Sequence, residues 1–272
     1  MEYRQVTFSP TDESLNAILI AELAEESFEG FEEQESALIA FIDEGQYKED
    51  VVAAIALQHE LQYEVKNIPQ QNWNAEWEAN FQPVVVQDFC TIRADFHQLD
   101  IRTPYEIIIT PKMSFGTGHH STTQLMIQMM KDLPLDGAKV LDFGTGTGIL
   151  AILAEKLGAA EVTAIDNDEW SYTNTEENIE RNNASTIQVQ LGSLEIVAGQ
   201  QYDIILANIN RHILLAYMQQ LQQAVSAGGK VLMSGLLTED REIIVQAAGD
   251  AGLKLESEDM LNNWITLLFL KL

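Results

Sequence analysis

The sequence predicts an α/β chain in two parts: a small mixed domain, then a doubly wound sheet that is parallel except for its last strand. Three observations predict it. Lys139 to Leu150 runs from an apolar strand through Gly144, Gly146 and Gly148 into an apolar helix, the turn with which α/β sheets approach a ligand. Strands and helices alternate beyond that turn, and the chain closes on a strand pair with no helix between, which must be antiparallel. The first seventy residues instead read strand, helix, strand, strand, helix, strand.

In chain order, Tyr3 to Phe8 reads as a strand, and Thr11-Asp12-Glu13-Ser14 starts a helix with its acidic residues where the dipole favours them. Leu15, Ile18, Leu19 and Leu23 follow at helical spacing. Phe28 to Glu32 and Ala37 to Ile42 form a hairpin, Lys48 to Glu60 a helix and Leu61 to Ile68 a closing strand. That order is ferredoxin-like and sets a first domain at residues 1–68. Residues 1–70 hold 3 Lys and Arg against 16 Asp and Glu, nearly half the net charge of −27. Glu29, Glu32, Glu33 and Glu35 gather around the hairpin, either as a solvated face or as a recognition surface for a basic protein.

Residues 69–83 form a polar linker bounded by prolines. Trp73, Trp77 and Phe81 recur every four residues and share one helix face, a stripe expected to dock the linker by packing. The second domain spans residues 84–272. Val84 to Val86, Phe89 to Ile92 and Ile107 to Thr110 are short strands ahead of the main sheet. Met113 to Thr123 is a second glycine-bearing loop feeding a helix from Gln124 to Lys131, with Ser121, Thr122 or Thr123 as its cap. The adjacent His119 and His120 point in different directions and no third ligand accompanies them at metal spacing, so no metal is expected. Either could orient a substrate amine; one is expected to be a structural hydrogen-bonder.

At the central turn, the glycine spacing is not the one that places a dinucleotide pyrophosphate. Asp142, two residues before the first glycine, would repel a phosphate and tolerate a cationic or hydroxyl-bearing ligand. Together these features point to S-adenosylmethionine. Asp166 ends the next strand, about twenty residues beyond the glycines, where a carboxylate holds ribose hydroxyls. Asp168 could serve as a helix cap, and Trp170 could cover an adenine face or simply pack. Ser193 follows the third strand, where residues border the adenine. Asn208 ends the strand from Tyr202 to Ala207, in the crevice where ligands bind, and could face the transferred group or an incoming amine. A helix from Ile213 to Ala227, a strand from Lys230 to Ser234 and a helix from Asp240 to Ala251 precede the final pair, Leu253 to Glu256 and Trp264 to Leu270, with Ser257 to Asn263 as its polar connection.

Composition limits the partners. The charge of −27 argues against unaided nucleic-acid binding and suits a cationic partner. One cysteine, Cys90, excludes an intrachain disulfide and fits a reducing cytoplasm. The first residues lack a basic start and apolar core, so no secretory signal is read, and no apolar run reaches membrane-spanning length.

Phe115-Gly116-Thr117-Gly118-His119-His120, Leu141 to Gly148, and Leu206-Ala207-Asn208-Ile209, with the tryptophan linker ending in Phe81-Gln82-Pro83, resemble the bacterial methyltransferases that modify ribosomal protein L11. The likeness covers essentially the whole chain. It implies a Rossmann-like class I methyltransferase sheet with S-adenosylmethionine as cofactor. It also implies methylation of lysine ε-amines and the N-terminal α-amine of L11, with the first domain recognising that protein. The cofactor set is Phe115, Gly116, Thr117, Gly118, Asp142, Gly144, Gly146, Gly148, Asp166, Ser193 and Asn208; the catalytic candidates are Asn208 and, as a helper, His119. One departure is that family members often read Asn-Ile-Leu-Ala where this chain has Asn208-Ile209-Asn210-Arg211. Another basic protein or a small-molecule amine is the alternative substrate, and a monomer is expected.

Overall fold

The computed structural model describes residues 3–28, 30–34, 36–68, 81–97, 100, 102–110 and 116–272. Trp73, Trp77 and Phe115, together with Glu29 and Glu35, lie outside the described residues. The chain divides into two compact units, Met1–Asn80 and Phe81–Leu272, a division that falls within the segment read as linker.

In the first unit, β1 (Tyr3–Ser9), α1 (Glu13–Glu25), β2 (Gly30–Gln34), β3 (Ala37–Asp43), α2 (Glu49–Gln58) and β4 (Gln62–Ile68) follow in order. The strands form an antiparallel sheet in the order β2-β3-β1-β4. Alternation decides its buried face. Val6 and Phe8 of β1 stand with Leu38, Ala40 and Ile42 of β3, and both helices close on them through Leu19, Leu23, Val52 and Ala56. Asp12 caps α1, its carboxylate accepting from Leu15 N–H at 2.8 Å.

The second unit opens with a three-stranded sheet, β5 (Val84–Val86), β6 (Cys90–Ala94) and β7 (Tyr105–Ile109), followed by α3 (Ser121–Met130). The main sheet then alternates β8 (Lys139–Phe143), α4 (Ile149–Lys156), β9 (Glu161–Asp166), α5 (Glu169–Arg181), β10 (Ile187–Leu191), β11 (Tyr202–Asn208), α6 (Arg211–Ala224), β12 (Val225–Leu237), α7 (Arg241–Ala251), β13 (Leu253–Leu261) and β14 (Trp264–Lys271). Its order is β10-β9-β8-β11-β12-β14-β13. β8 to β12 are parallel, whereas β14 inserts antiparallel to both β12 and β13. The order reverses between β8 and β11, so a crevice opens beyond their carboxyl ends.

Two cores line the sheet. Val140, Val162, Ala164, Ile204 and Leu206 face α3, α4 and the small sheet. Leu141, Phe143, Ile205 and Ala207 face α6 and α7. Residues Ile149 to Ala154 of α4 are all buried, as an apolar helix lacking a polar face must be. Asparagines at helical spacing tie α5 to β7. Asn178 accepts from Thr110 N–H at 2.7 Å and donates to Thr147 O at 2.8 Å. Asn182, just past the helix, accepts from Ile108 N–H at 3.0 Å and donates to Ile108 O at 2.6 Å.

Several boundaries differ from the sequence expectation. The final connection is not Ser257 to Asn263: β13 runs on to Leu261, and Asn262 and Asn263 alone make the turn, with φ of 51° and 65°. That is the two-residue hairpin turn asparagine favours. Ser257, Glu258 and Asp259 read as loop because an edge strand can be polar on both faces. The helix after β11 ends at Ala224, and β12 begins at Val225, ahead of Gly228 and Gly229.

Candidate active site

A cavity of about 620 Å³ opens at the carboxyl ends of β8, β9, β11 and β12. Gly144 and Gly146 form its floor, with Asp166, Asn167 and Ser171 on one side and Asn208, Ile209 and Asn210 on the other. Gly116, His120, Thr122 and Thr123 make one wall; Phe143, Ile213, Tyr217 and Trp264 make an apolar one. Gly192 and Ser193 complete the end beyond β10.

Asp166 is held for use. Its Oδ2 accepts from Gly146 N–H at 2.9 Å and its Oδ1 from Asp168 N–H at 3.1 Å. Each oxygen keeps a further lone pair for a vicinal diol. Asp168 is the α5 cap, accepting from Ser171 N–H at 2.9 Å, and its carboxylate is held below the usual range by that backbone bond. Trp170 is 76% exposed and packs into neither core.

Asn208 is the most telling residue. Its Nδ2 lies 3.4 Å from Thr123 Oγ1, while its Oδ1 is buried without a hydrogen-bond partner among the described residues. A buried acceptor left unpaired costs about 1–3 kcal/mol, which a donor on a bound ligand would recover. Asn210, at the departure from the family pattern, caps α6 by accepting from Ile213 N–H at 3.2 Å.

Five residues of the expected set stand off the cavity wall. Asp142 lies beneath the glycine turn, fully buried, accepting from Thr145 Oγ1 at 2.7 Å and Ala151 N–H at 3.2 Å. It braces the turn from below, because alternation along β8 places it on Val140's face, toward α4. Burial, the largest effect, pushes its carboxyl up to about 7; the two donors oppose the rise and Asp166 adds to it. Gly148 begins α4 with φ of 80°, and a Cβ there would come 2.9 Å from Thr175 Cγ2, so its smallness serves packing. Thr117 and the buried Gly118 do not line the cavity, although Gly116 beside them does.

The fifth is His119. It is exposed, with its Nδ1 3.1 Å from Thr117 Oγ1 and its ring edge-on to Phe81 at 4.9 Å. His120 is the histidine on the cavity, and it is also the cap of α3 in place of the expected Ser or Thr. Its Nδ1 accepts from Thr122 N–H at 3.3 Å, and its ring meets Trp264 edge-on at 4.5 Å. Burial lowers its pKa.

Other wall residues escaped the sequence reading. Gly235, with φ of 82°, is one: a Cβ there would sit 2.4 Å from Ile209 O. Tyr217, Ile213 and Trp264 are others, set by α6 and β14. The donor set fits an adenosyl ligand carrying an amino group and no phosphate. No lysine or arginine lines the cavity among the described residues, while Asp166 and the unpaired Asn208 oxygen do.

Comparison with known proteins agrees. The family model described as ribosomal protein L11 methyltransferase (PrmA) matches residues 6–271. The chain is 43% identical to the ribosomal protein L11 methyltransferase of Porphyromonas gingivalis over 97% of its own length and 95% of that protein. It is 40% identical to that of Bacteroides fragilis over 99% of both. The crystal structure of ribosomal protein L11 methylase from Lactobacillus delbrueckii subsp. bulgaricus superimposes with a TM-score of 0.65 at 31% identity, covering 70% of this chain and 98% of that one. A strand-to-helix glycine turn at the sheet's switch point, a carboxylate closing the neighbouring strand and a match along nearly the whole chain lead to one assignment: the chain belongs to the ribosomal protein L11 methyltransferase family.

Proposed function

We propose that this protein transfers methyl groups from S-adenosylmethionine to amino groups of ribosomal protein L11, at lysine side chains and the N-terminal amine. The observation that carries the amine assignment is the buried, unpaired Oδ1 of Asn208 at the end of a central strand. An amine N–H is the donor that such an oxygen lacks.

The residues divide the work. Asp166 holds the ribose diol, and Gly144 and Gly146 let the backbone approach the nucleoside closely. When bound, the cofactor supplies a methyl group on a cationic sulfur that is already a good leaving group. The protein therefore has to align and desolvate the nucleophile. Asn208 Oδ1 orients the amine nitrogen, and Phe143, Ile213, Tyr217 and Trp264 exclude water around it. An ammonium ion cannot attack, and its ordinary pKa is about 10.4. An apolar wall beside a cationic sulfur disfavours the charged form and promotes proton loss to solvent. His120 Nδ1 already accepts the Thr122 N–H, so that nitrogen is closed to a substrate proton.

The first unit is assigned to recognition of the basic substrate. Glu32 and Glu33 are exposed on β2, an edge strand, in a segment whose charge is strongly negative. With a ribosomal protein as substrate, the reaction belongs in the cytoplasm. No helix among the described residues is long and apolar enough to cross a membrane. The direct test is mass spectrometry of purified L11 after incubation with the protein and S-adenosylmethionine. Mass gains of whole methyl groups on lysine-containing and N-terminal peptides are expected. An unmodified L11 beside methylated small amines would favour the alternative substrate class.

A further inference from the structure

We propose that Phe81 and His119 form a clasp that sets the position of the cofactor-facing loop around Gly116, making His119 a positioning residue for cofactor binding. The proposal rests on the assignment of the cavity to S-adenosylmethionine.

Phe81 is the first residue of the second unit and is 8% exposed. Two histidines hold it. His97 Nε2 donates to Phe81 O at 2.7 Å, and the two rings stack at 5.9 Å with 17° between their planes. The tautomer of His97 follows from its other nitrogen: Nδ1 accepts from Ala94 N–H at 3.1 Å, so Nε2 carries the proton. The His119 ring also meets Phe81, edge-on at 4.9 Å with 73° between the planes.

His119 then reaches the loop. Its Nδ1 lies 3.1 Å from Thr117 Oγ1, and its carbonyl accepts from Gln124 Nε2 at 3.1 Å. One residue earlier, Gly116 O accepts from Thr147 Oγ1 at 2.6 Å, which joins this loop to the glycine turn after β8. A continuous set of contacts thus runs from the point where the chain enters the unit to the cavity wall. An exposed histidine needs no such arrangement for folding. Its ring contacts Phe81 while its Nδ1 contacts the loop at Thr117. An edge-on ring pair of this kind is attractive enough to bias a short loop.

The experiment measures affinity for S-adenosylhomocysteine by calorimetry, alongside urea unfolding and steady-state kinetics on L11. His119→Ala should weaken the nucleoside about five- to tenfold, raise KM for S-adenosylmethionine in parallel, and leave kcat within about twofold. Being exposed, it should lower the unfolding midpoint only slightly, and less than Leu135→Ala does. Phe81→Ala should weaken binding at least as much, with some loss of stability. Leu135→Ala, in the same core but outside the clasp, controls for general loosening and should lose stability without losing affinity. If His119→Ala binds as the parent does, or if Leu135→Ala loses as much affinity as Phe81→Ala, the clasp has no positioning role. A parent protein that fails to bind the nucleoside at all would instead overturn the cofactor assignment.

Discussion

Replacing Asp142 by asparagine should change the dependence of stability on pH, and the sign is fixed by the direction of its shift. Burial raises this carboxyl from 3.8 to about 7. A carboxyl whose folded value lies above its unfolded value binds its proton more tightly in the folded chain. Its contribution is therefore complete in acid, below about 4, and is lost as pH rises through about 7. The difference amounts to about 4 kcal/mol lost by pH 8. An asparagine oxygen can keep the bonds from Thr145 and Ala151, while its Nδ2 replaces the Oδ1 that lacks a partner. The protonated acid carries an O–H on that same partnerless oxygen, so the amide costs only about 1 kcal/mol beyond it. Asp142→Asn should thus lie within about 1 kcal/mol of the parent near pH 4.5 and be more stable by about 3 kcal/mol near pH 8, the gap opening between. Urea unfolding followed by tryptophan fluorescence across that range measures it. A stability difference that stays constant with pH would refute the view that Asp142 is a buried brace with a raised pKa.

Three other outcomes follow from the site. Asn208→Ala should leave affinity for S-adenosylmethionine within a few-fold and cut turnover on L11 by about a hundredfold; unchanged turnover would remove Asn208 from the reaction. Gly235→Ala should cost about 2–3 kcal/mol in urea unfolding, because the added Cβ meets the backbone of Ile209 at positive φ. His120→Ala should cost about 1 kcal/mol by loss of the α3 cap, and His120→Asn should recover most of it; equal losses in both would show that capping is not what His120 supplies.

The features legible in the sequence were those written in consecutive residues. The turn from Phe143 to Gly148, the carboxylate closing β9 and the amide closing β11 all announce themselves by an apolar run followed by a change of residue type. Asp142 was assigned to the ligand because motif position was weighed above alternation. Val140 and Asp142 share a face, and the helix opposite has no polar side, a signal available beforehand. Choosing between His119 and His120 required the path of the chain into α3, which one residue of offset reverses. Gly235, Tyr217 and Trp264 could not be placed without the sheet order. They come from β12, α6 and β14, and only the insertion of β14 beside β12 brings them to one rim.

The amides of Asn178 and Asn182 have a consequence for the protein in a crowded solution. Among the described residues, β7 is the outer strand of its small sheet and pairs only with β6. A bare strand edge offers a template on which another chain can lay itself. Here the N–H and C=O of Ile108 and the N–H of Thr110 are already taken by side chains. A helix thereby seals the border that a further strand would otherwise extend. Asn178→Leu should reopen part of it, and light scattering should then report self-association that grows with protein concentration, at temperatures where the parent remains dispersed.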